Sequence, residues 1–146
     1  MKILIVDDDP CIARGIKRGL IGDDVTLCFD GAAAIEAVAD AGAATPFEVI
    51  LSDMKMPGMN GLELLTALRA SGRREQPIQI LMTGEDDAVA EGIADAVLTK
   101  PFHAASLRET IARIQECRGQ AMRKRRATRL SLEPTSRMRT HITMSP

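Results

Sequence analysis

Four apolar runs in this chain each end on residues able to handle charge. Ile3-Leu4-Ile5-Val6 leads into Asp7, Asp8 and Asp9, and Val49-Ile50-Leu51-Ser52 leads into Asp53. Ile78–Met82 is followed by Thr83, and Ala96–Thr99 by Lys100-Pro101. Asp7, Asp8 and Asp53, crowded together, would repel one another and hold protons unless a cation neutralised them. An all-oxygen site that keeps several waters is what Mg²⁺ prefers. With the cation bound, one carboxylate could serve as a nucleophile toward phosphorus. Lys100 and the metal would neutralise the oxygens of the transferring group, and the Thr83 hydroxyl would hydrogen-bond one of them.

Each residue also has a plainer reading. Asp9 precedes Pro10, the pattern of a helix N-cap with proline at the first helical position, and that role is assigned to it. Thr83 alone reads as a turn or cap residue, and Lys100 alone as a solvated charge. Asp53, ahead of Met54-Lys55-Met56-Pro57-Gly58, could be loop punctuation. Their common position decides the matter. Ligands of an open α/β sheet bind outside the carboxyl ends of its strands, and four of five strand candidates deliver a polar group there.

The elements that must position these groups are legible as alternation. Strand candidates are Lys2–Val6, Val25–Phe29, Phe47–Leu51, Ile78–Met82 and Ala96–Thr99. Their near-continuous Ile, Leu and Val content suits strands buried on both faces of a parallel sheet. Between them Ile12, Ile16 and Leu20 share a helical face, as do Leu62, Leu65 and Leu68, and Leu107, Ile111 and Ile114. Helices at about 31–41 and 85–91 are expected from an Ala-rich and a short segment. Strand and helix alternating five times imply a doubly wound α/β sandwich with right-handed crossovers.

Composition bounds the rest. The 146 residues are 45% hydrophobic and 27% charged, the balance of one ordinary globular domain rather than several. With no Trp, no Tyr and three Phe, the core must be aliphatic, and aromatic platforms for single-stranded nucleic acid are excluded. No signal peptide or membrane span is expected, since the first apolar run is far short of the roughly 20 residues a spanning helix needs. Cys11, Cys28 and Cys117 are odd in number and lack a C-x-x-C spacing, as expected of free thiols in a reducing cytoplasm. His103 and His141 are too far apart in sequence to suggest a local metal motif.

Charge is distributed unevenly. Residues 118–146 hold eight of the 19 Lys and Arg and one of the 20 acids, a net +7, which leaves −8 on residues 1–117. One folded domain over 1–118 is therefore expected, followed by a basic tail over 119–146. Gly119 could cap the last helix, or Gln120–Arg126 could prolong it; from Ala127 onward the composition reads as disorder. Three readings of residues 118–146 stand side by side. They are a solvated tail, an arm for an anionic partner (nucleic acid, an acidic protein face or a membrane surface), or a segment that folds back on the acidic domain.

The stretches ILIVDDDP, LSDMKMPGMNG, ILMTG and LTKPF, in this order and spacing, resemble the receiver domain of two-component response regulators, here of the stand-alone type. The resemblance covers about residues 1–117. It implies a flavodoxin-like (βα)5 fold with strand order 2-1-3-4-5. It implies Asp53 as the phosphoacceptor, with Asp8 as a direct Mg²⁺ ligand and Asp7 as its partner acting through water. Asp53 itself and the backbone carbonyl of Lys55 complete the metal set. Thr83 becomes the switch hydroxyl, Lys100 the partner of the phosphoryl group, and the Lys100-Pro101 bond is expected to be cis. The function implied is Mg²⁺-dependent acceptance of a phosphoryl group from a sensor histidine kinase or histidine phosphotransfer protein. Donor docking is then expected around the first helix and nearby loops, although Arg14, Lys17 and Arg18 on that helix could equally be a solvated face, and the signal passes by contact to a further protein in the cytoplasm. Catalysis would be limited to the chain's own phosphoryl uptake and hydrolysis.

Two departures from the pattern stand out. Val97 lies three residues before Lys100, where such proteins usually carry Tyr or Phe. The segment from Thr83 to Lys100 is about five residues short, roughly a turn and a half of helix. A shortened fourth helix is expected, and the familiar aromatic switch cannot operate in its usual form. Lys55 and Glu85, two positions beyond Asp53 and Thr83, could bridge the mouth of the site and slow hydrolysis, or could equally be two solvated charges. Two rival readings accompany this one. Asp7-x-Asp9 is similar to the nucleophile motif of haloacid-dehalogenase-like phosphatases, although Pro10-Cys11 departs from it and Asp53 would be unexplained. The fold could also be a non-phosphorylated scaffold acting through the basic tail.

Overall fold

In the computed structural model, residues 1–72, 76–84 and 92–131 are described. The described elements, in chain order, are β1 (Lys2–Val6), α1 (Pro10–Gly19), β2 (Asp24–Cys28), α2 (Gly31–Ala41), β3 (Val49–Asp53), α3 (Gly61–Ala70), β4 (Ile78–Thr83), β5 (Ala96–Thr99) and α4 (Ala104–Ser131). The strands form one all-parallel sheet in the order β2-β1-β3-β4-β5, the expected flavodoxin-like topology. The helix expected at 85–91, and with it the shortened fourth helix, lies outside the described residues.

The apolar runs are continuous because the sheet is covered on both faces. Ile3 and Ile5 of β1 face one layer with Ala13, Leu20, Leu107 and Ile111. Leu4 and Val6, one residue out of phase, face the other with Ala34, Val38, Leu64, Leu65 and Leu68. This two-residue alternation splits a single run between two cores. Aliphatic side chains dominate both, and Phe47 is the one aromatic residue among the buried core positions described.

Each early helix is started by a side chain. Asp9 accepts from the Cys11 and Ile12 amides at 2.7 and 3.4 Å with Pro10 at N1, as its sequence position predicts. Asp30 caps α2 through the Ala33 amide at 2.7 Å. Asn60 and Glu63 form a reciprocal capping box on α3.

The end of α4 differs from the irregular tail expected from residue 119. The helix runs without a break through Gly119 to Ser131, so the prolongation alternative applies and extends past Arg126. Gly119 costs a helix interior about 1 kcal/mol, and the Gln, Ala, Met, Lys and Arg that follow are strong helix formers. Residues 132–146 lie outside the described residues. The chain divides into two compact units, Met1–Ile114 and Gln115–Pro146. Among the described residues no helix is long and apolar enough to cross a membrane. All three cysteines are free.

Candidate functional site

Strand register assembles the site. Val6 aligns with both Cys28 and Ser52, so the residue after β1, Asp7, lies beside Asp53 at the end of β3. The Asp7 amide donates to the Cys28 carbonyl at 3.2 Å, which holds the chain extended one residue past the strand. Asp53 aligns with Met82, and Thr83 closes β4 opposite Thr99. Beyond Thr99, the Lys100 amide donates to the Thr83 carbonyl at 2.7 Å, and the Lys100-Pro101 bond is cis as expected. Asp7, Asp53, Thr83 and Lys100 thus arrive at one sheet edge from four different strands.

Their charges interlock. The Lys100 ammonium lies 2.7 Å from Asp53 Oδ1 and 2.9 Å from Asp7 Oδ2. Asp7 is 1% exposed and Asp53 8%, whereas Asp8 faces solvent. Burial raises the Asp53 pKa above the usual aspartate value, with Asp7 and Asp8 adding to the rise, although Lys100 pulls it down. Burial also works against the ammonium of Lys100, but its two carboxylate partners prevail and its pKa is raised. One ammonium between two carboxylates, with a third carboxylate beside them, leaves an excess of negative charge that a cation would offset.

Carboxylate oxygens of Asp7, Asp8 and Asp53 all lie within 4.8 Å of one another. This donor set is entirely hard oxygen and mixes buried with exposed groups, so a bound ion could retain water. The residues therefore fit Mg²⁺. Lys55, whose carbonyl is the fourth ligand in the sequence reading, lies exposed in the loop two residues after Asp53. Its suggested partner Glu85 lies outside the described residues.

Asp9 takes no part in this cluster by its side chain, which is bonded to the start of α1; its amide instead donates to Asp7 Oδ1 at 2.9 Å and orients that carboxylate. A phosphatase reading that requires Asp9 as its acid loses that residue to the cap. Sequence reasoning assigns no role to Gly61. A Cβ at that position would collide with the Asp53 carbonyl oxygen and approach Leu81 Cδ1 to 2.9 Å. Its amide donates to the Met54 carbonyl at 3.0 Å, so the start of α3 is pressed against the backbone of Asp53. The signal available in the sequence is a glycine at a helix start behind Asn60.

Comparison with known proteins agrees with this geometry. The family described as "Response regulator receiver domain" matches residues 3–112. The chain belongs to the response regulator receiver family. As a receiver it carries the acidic cluster typical of phosphoaccepting response regulators in two-component signalling, a signalling module rather than a classical enzyme. It is 35% identical to the transcriptional regulatory protein QseB of Escherichia coli O157:H7, over 96% of this chain and 65% of that protein. It is 38% identical to the sensory/regulatory protein RpfC of Xanthomonas campestris, over 77% of this chain and 16% of that protein. The chain thus spans between about a sixth and two thirds of these relatives' lengths. Among solved structures, the chemotaxis response regulator CheY4 of Vibrio cholerae superposes with a TM-score of 0.63 at 32% identity, covering 77% of this chain and 97% of that one. A receiver domain from Clostridium thermocellum gives 0.69 at 26%, covering 82% and 98%.

At the departure from the family pattern, β5 turns Ala96 and Leu98 toward the core, and Val97 is 37% exposed. An aliphatic side chain stands on the surface where a ring was the family expectation.

Proposed function

We propose that Asp53 accepts a phosphoryl group from the phosphohistidine of a sensor kinase or histidine phosphotransfer protein, in the cytoplasm. The observation that carries this reading is the Lys100 ammonium, held 2.7 Å from Asp53 at the carboxyl edge of the sheet. Asp53 attacks phosphorus through a carboxylate oxygen. The new O–P bond forms as the donor's N–P bond breaks, its electron pair stays on the imidazole nitrogen, and that nitrogen gains a proton. Asp7, Asp8, Asp53 and the Lys55 carbonyl are the residues that would hold Mg²⁺, which supplies positive charge to the transferring oxygens. Lys100 already stands where a phosphoryl oxygen on Asp53 would need a counter-charge. The buried Thr83, tied to Lys100 through its carbonyl, supplies a hydroxyl to a second such oxygen.

The downstream signal passes to a protein that senses this edge. With Val97 in place of an aromatic residue, switching rests on Thr83 and Lys100 rather than on a ring turning inward. On α1, Arg14 and Arg18 are exposed and available to a docking donor, while Lys17 is engaged with the Val25 carbonyl at 2.8 Å. The test is intact-mass spectrometry of the full chain with a small-molecule phosphodonor. A single phosphoryl increment is expected for wild type with Mg²⁺ and none for Asp53→Asn or after chelation. An undiminished increment in Asp53→Asn overturns the assignment.

A further inference from the structure

Beyond Cys117, helix α4 becomes a concentrated cationic rod. Arg118, Arg123, Lys124, Arg125, Arg126 and Arg129 fall within it, and no acid occurs between Glu116 and Glu133. Residues 121–129 are all exposed. At about 100° per residue, Arg125 and Arg129 share one side, Arg126 and Arg123 follow around the helix, and Lys124 lies on the far side, so no sector wider than about 100° lacks a cation. The apolar residues among them, Ala121, Met122 and Ala127, fall on different sides, and Met122 is 73% exposed.

This arrangement discriminates between anionic partners. A membrane-surface helix needs an apolar face opposite its charges, which is missing here. An acidic protein face would engage one side and leave the others without a partner. Single-stranded nucleic acid is held largely by stacking on aromatic side chains, and residues 118–146 contain no Phe, Tyr or Trp. Charge all round a helix is complementary to a groove with anionic walls on both sides. The major groove of B-form DNA is about 12 Å wide and admits an α-helix, whereas that of A-form RNA is too deep and narrow. Arg118 to Arg129 spans about 17 Å of helix axis, long enough to follow such a groove.

The helix also carries a deficit that a polyanion would relieve. Arg123 with Arg126, Arg126 with Arg129, and Arg125 with Arg129 are like charges three or four residues apart, each pair destabilising an isolated helix. Among the described residues no ion pair joins any of these four arginines to a carboxylate.

We propose that residues 118–131 form a DNA-binding helix that enters the major groove of duplex DNA, giving this receiver an output of its own beyond protein contact. The helix engages phosphates, so binding is dominated by charge and depends weakly on sequence.

The test uses the full chain, with fluorescence anisotropy against a mixed-sequence DNA duplex two turns long, over a range of salt. Parallel titrations use the single strand, the RNA duplex, polyglutamate, and vesicles of phosphatidylcholine with phosphatidylglycerol. Duplex DNA is expected to bind best, with an affinity that falls steeply as salt rises. Replacing Arg123, Lys124 and Arg126 together by Gln, which keeps helix propensity, should lower the slope of log K against log salt by about one for each phosphate that is no longer neutralised. The control Arg14→Gln/Arg18→Gln, which removes exposed cations from α1, should leave the slope unchanged. Absence of duplex binding, equal or tighter binding of any other probe, or an unchanged slope in the triple variant overturns the proposal.

Discussion

Asp53 carries an unfavourable charge before any ligand reaches it. Burial, with Asp7 and Asp8 adding to it, lifts its pKa above the ordinary aspartate range despite Lys100. A carboxyl that holds its proton more tightly when folded contributes stability below its unfolded pKa, and that contribution is lost as pH rises through the folded pKa. Ionised Asp53 therefore costs stability at neutral pH. Without divalent metal, Asp53→Asn is expected to resist urea better than wild type at neutral pH, with the gap closing on acidification. A lower neutral-pH midpoint for the variant would contradict this balance of burial against ion pairing. A bound cation would draw on the same excess charge. Asp8→Ala removes one of three convergent carboxylates, so Mg²⁺ affinity measured by calorimetry should fall at least about tenfold; equal affinity would remove Asp8 from the ligand set. The identities of these groups are legible because charged residues following apolar runs are conspicuous. Their mutual orientation is not: the two carboxylates that share the Lys100 ammonium, and the Asp9 amide that orients Asp7, depend on register and torsions that spacing alone leaves open.

The strands and most helices follow from periodicity, with shifts of a residue or two at their ends. β2 begins at Asp24 rather than Val25, and β3 runs Val49–Asp53 rather than starting at Phe47. Such shifts arise because the end of a strand is set by its neighbours' hydrogen bonds, while an apolar run reports only burial. The α4 extension is hidden for a related reason: Gly119 and the loss of apolar periodicity both read as a stop, yet neither forbids a solvated helix. Gly61 is the least legible element start, because its function is the absence of a side chain. The close approach to Asp53 makes Gly61→Ala costly, about 1–3 kcal/mol by comparison with overpacked cores. Denaturant unfolding should show that loss, and a change within about 0.5 kcal/mol would mean that α3 can slide away from β3 freely.

For the chain as a whole, topology explains why four unremarkable residues from distant parts of the sequence meet at one edge. A parallel sheet of order β2-β1-β3-β4-β5 places the ends of β1, β3, β4 and β5 in a row, so residues as distant in sequence as Asp7 and Lys100 touch at 2.9 Å. That row would be idle if another group accepted the phosphoryl. Reduction of the phosphorylated chain with borohydride converts an acyl phosphate of aspartate to homoserine, which peptide sequencing then locates. The structure predicts homoserine at position 53 and aspartate retained at positions 7, 8 and 9. Homoserine at any of those three positions, or phosphate found stably on a serine, threonine or histidine instead, would contradict the assignment of Asp53.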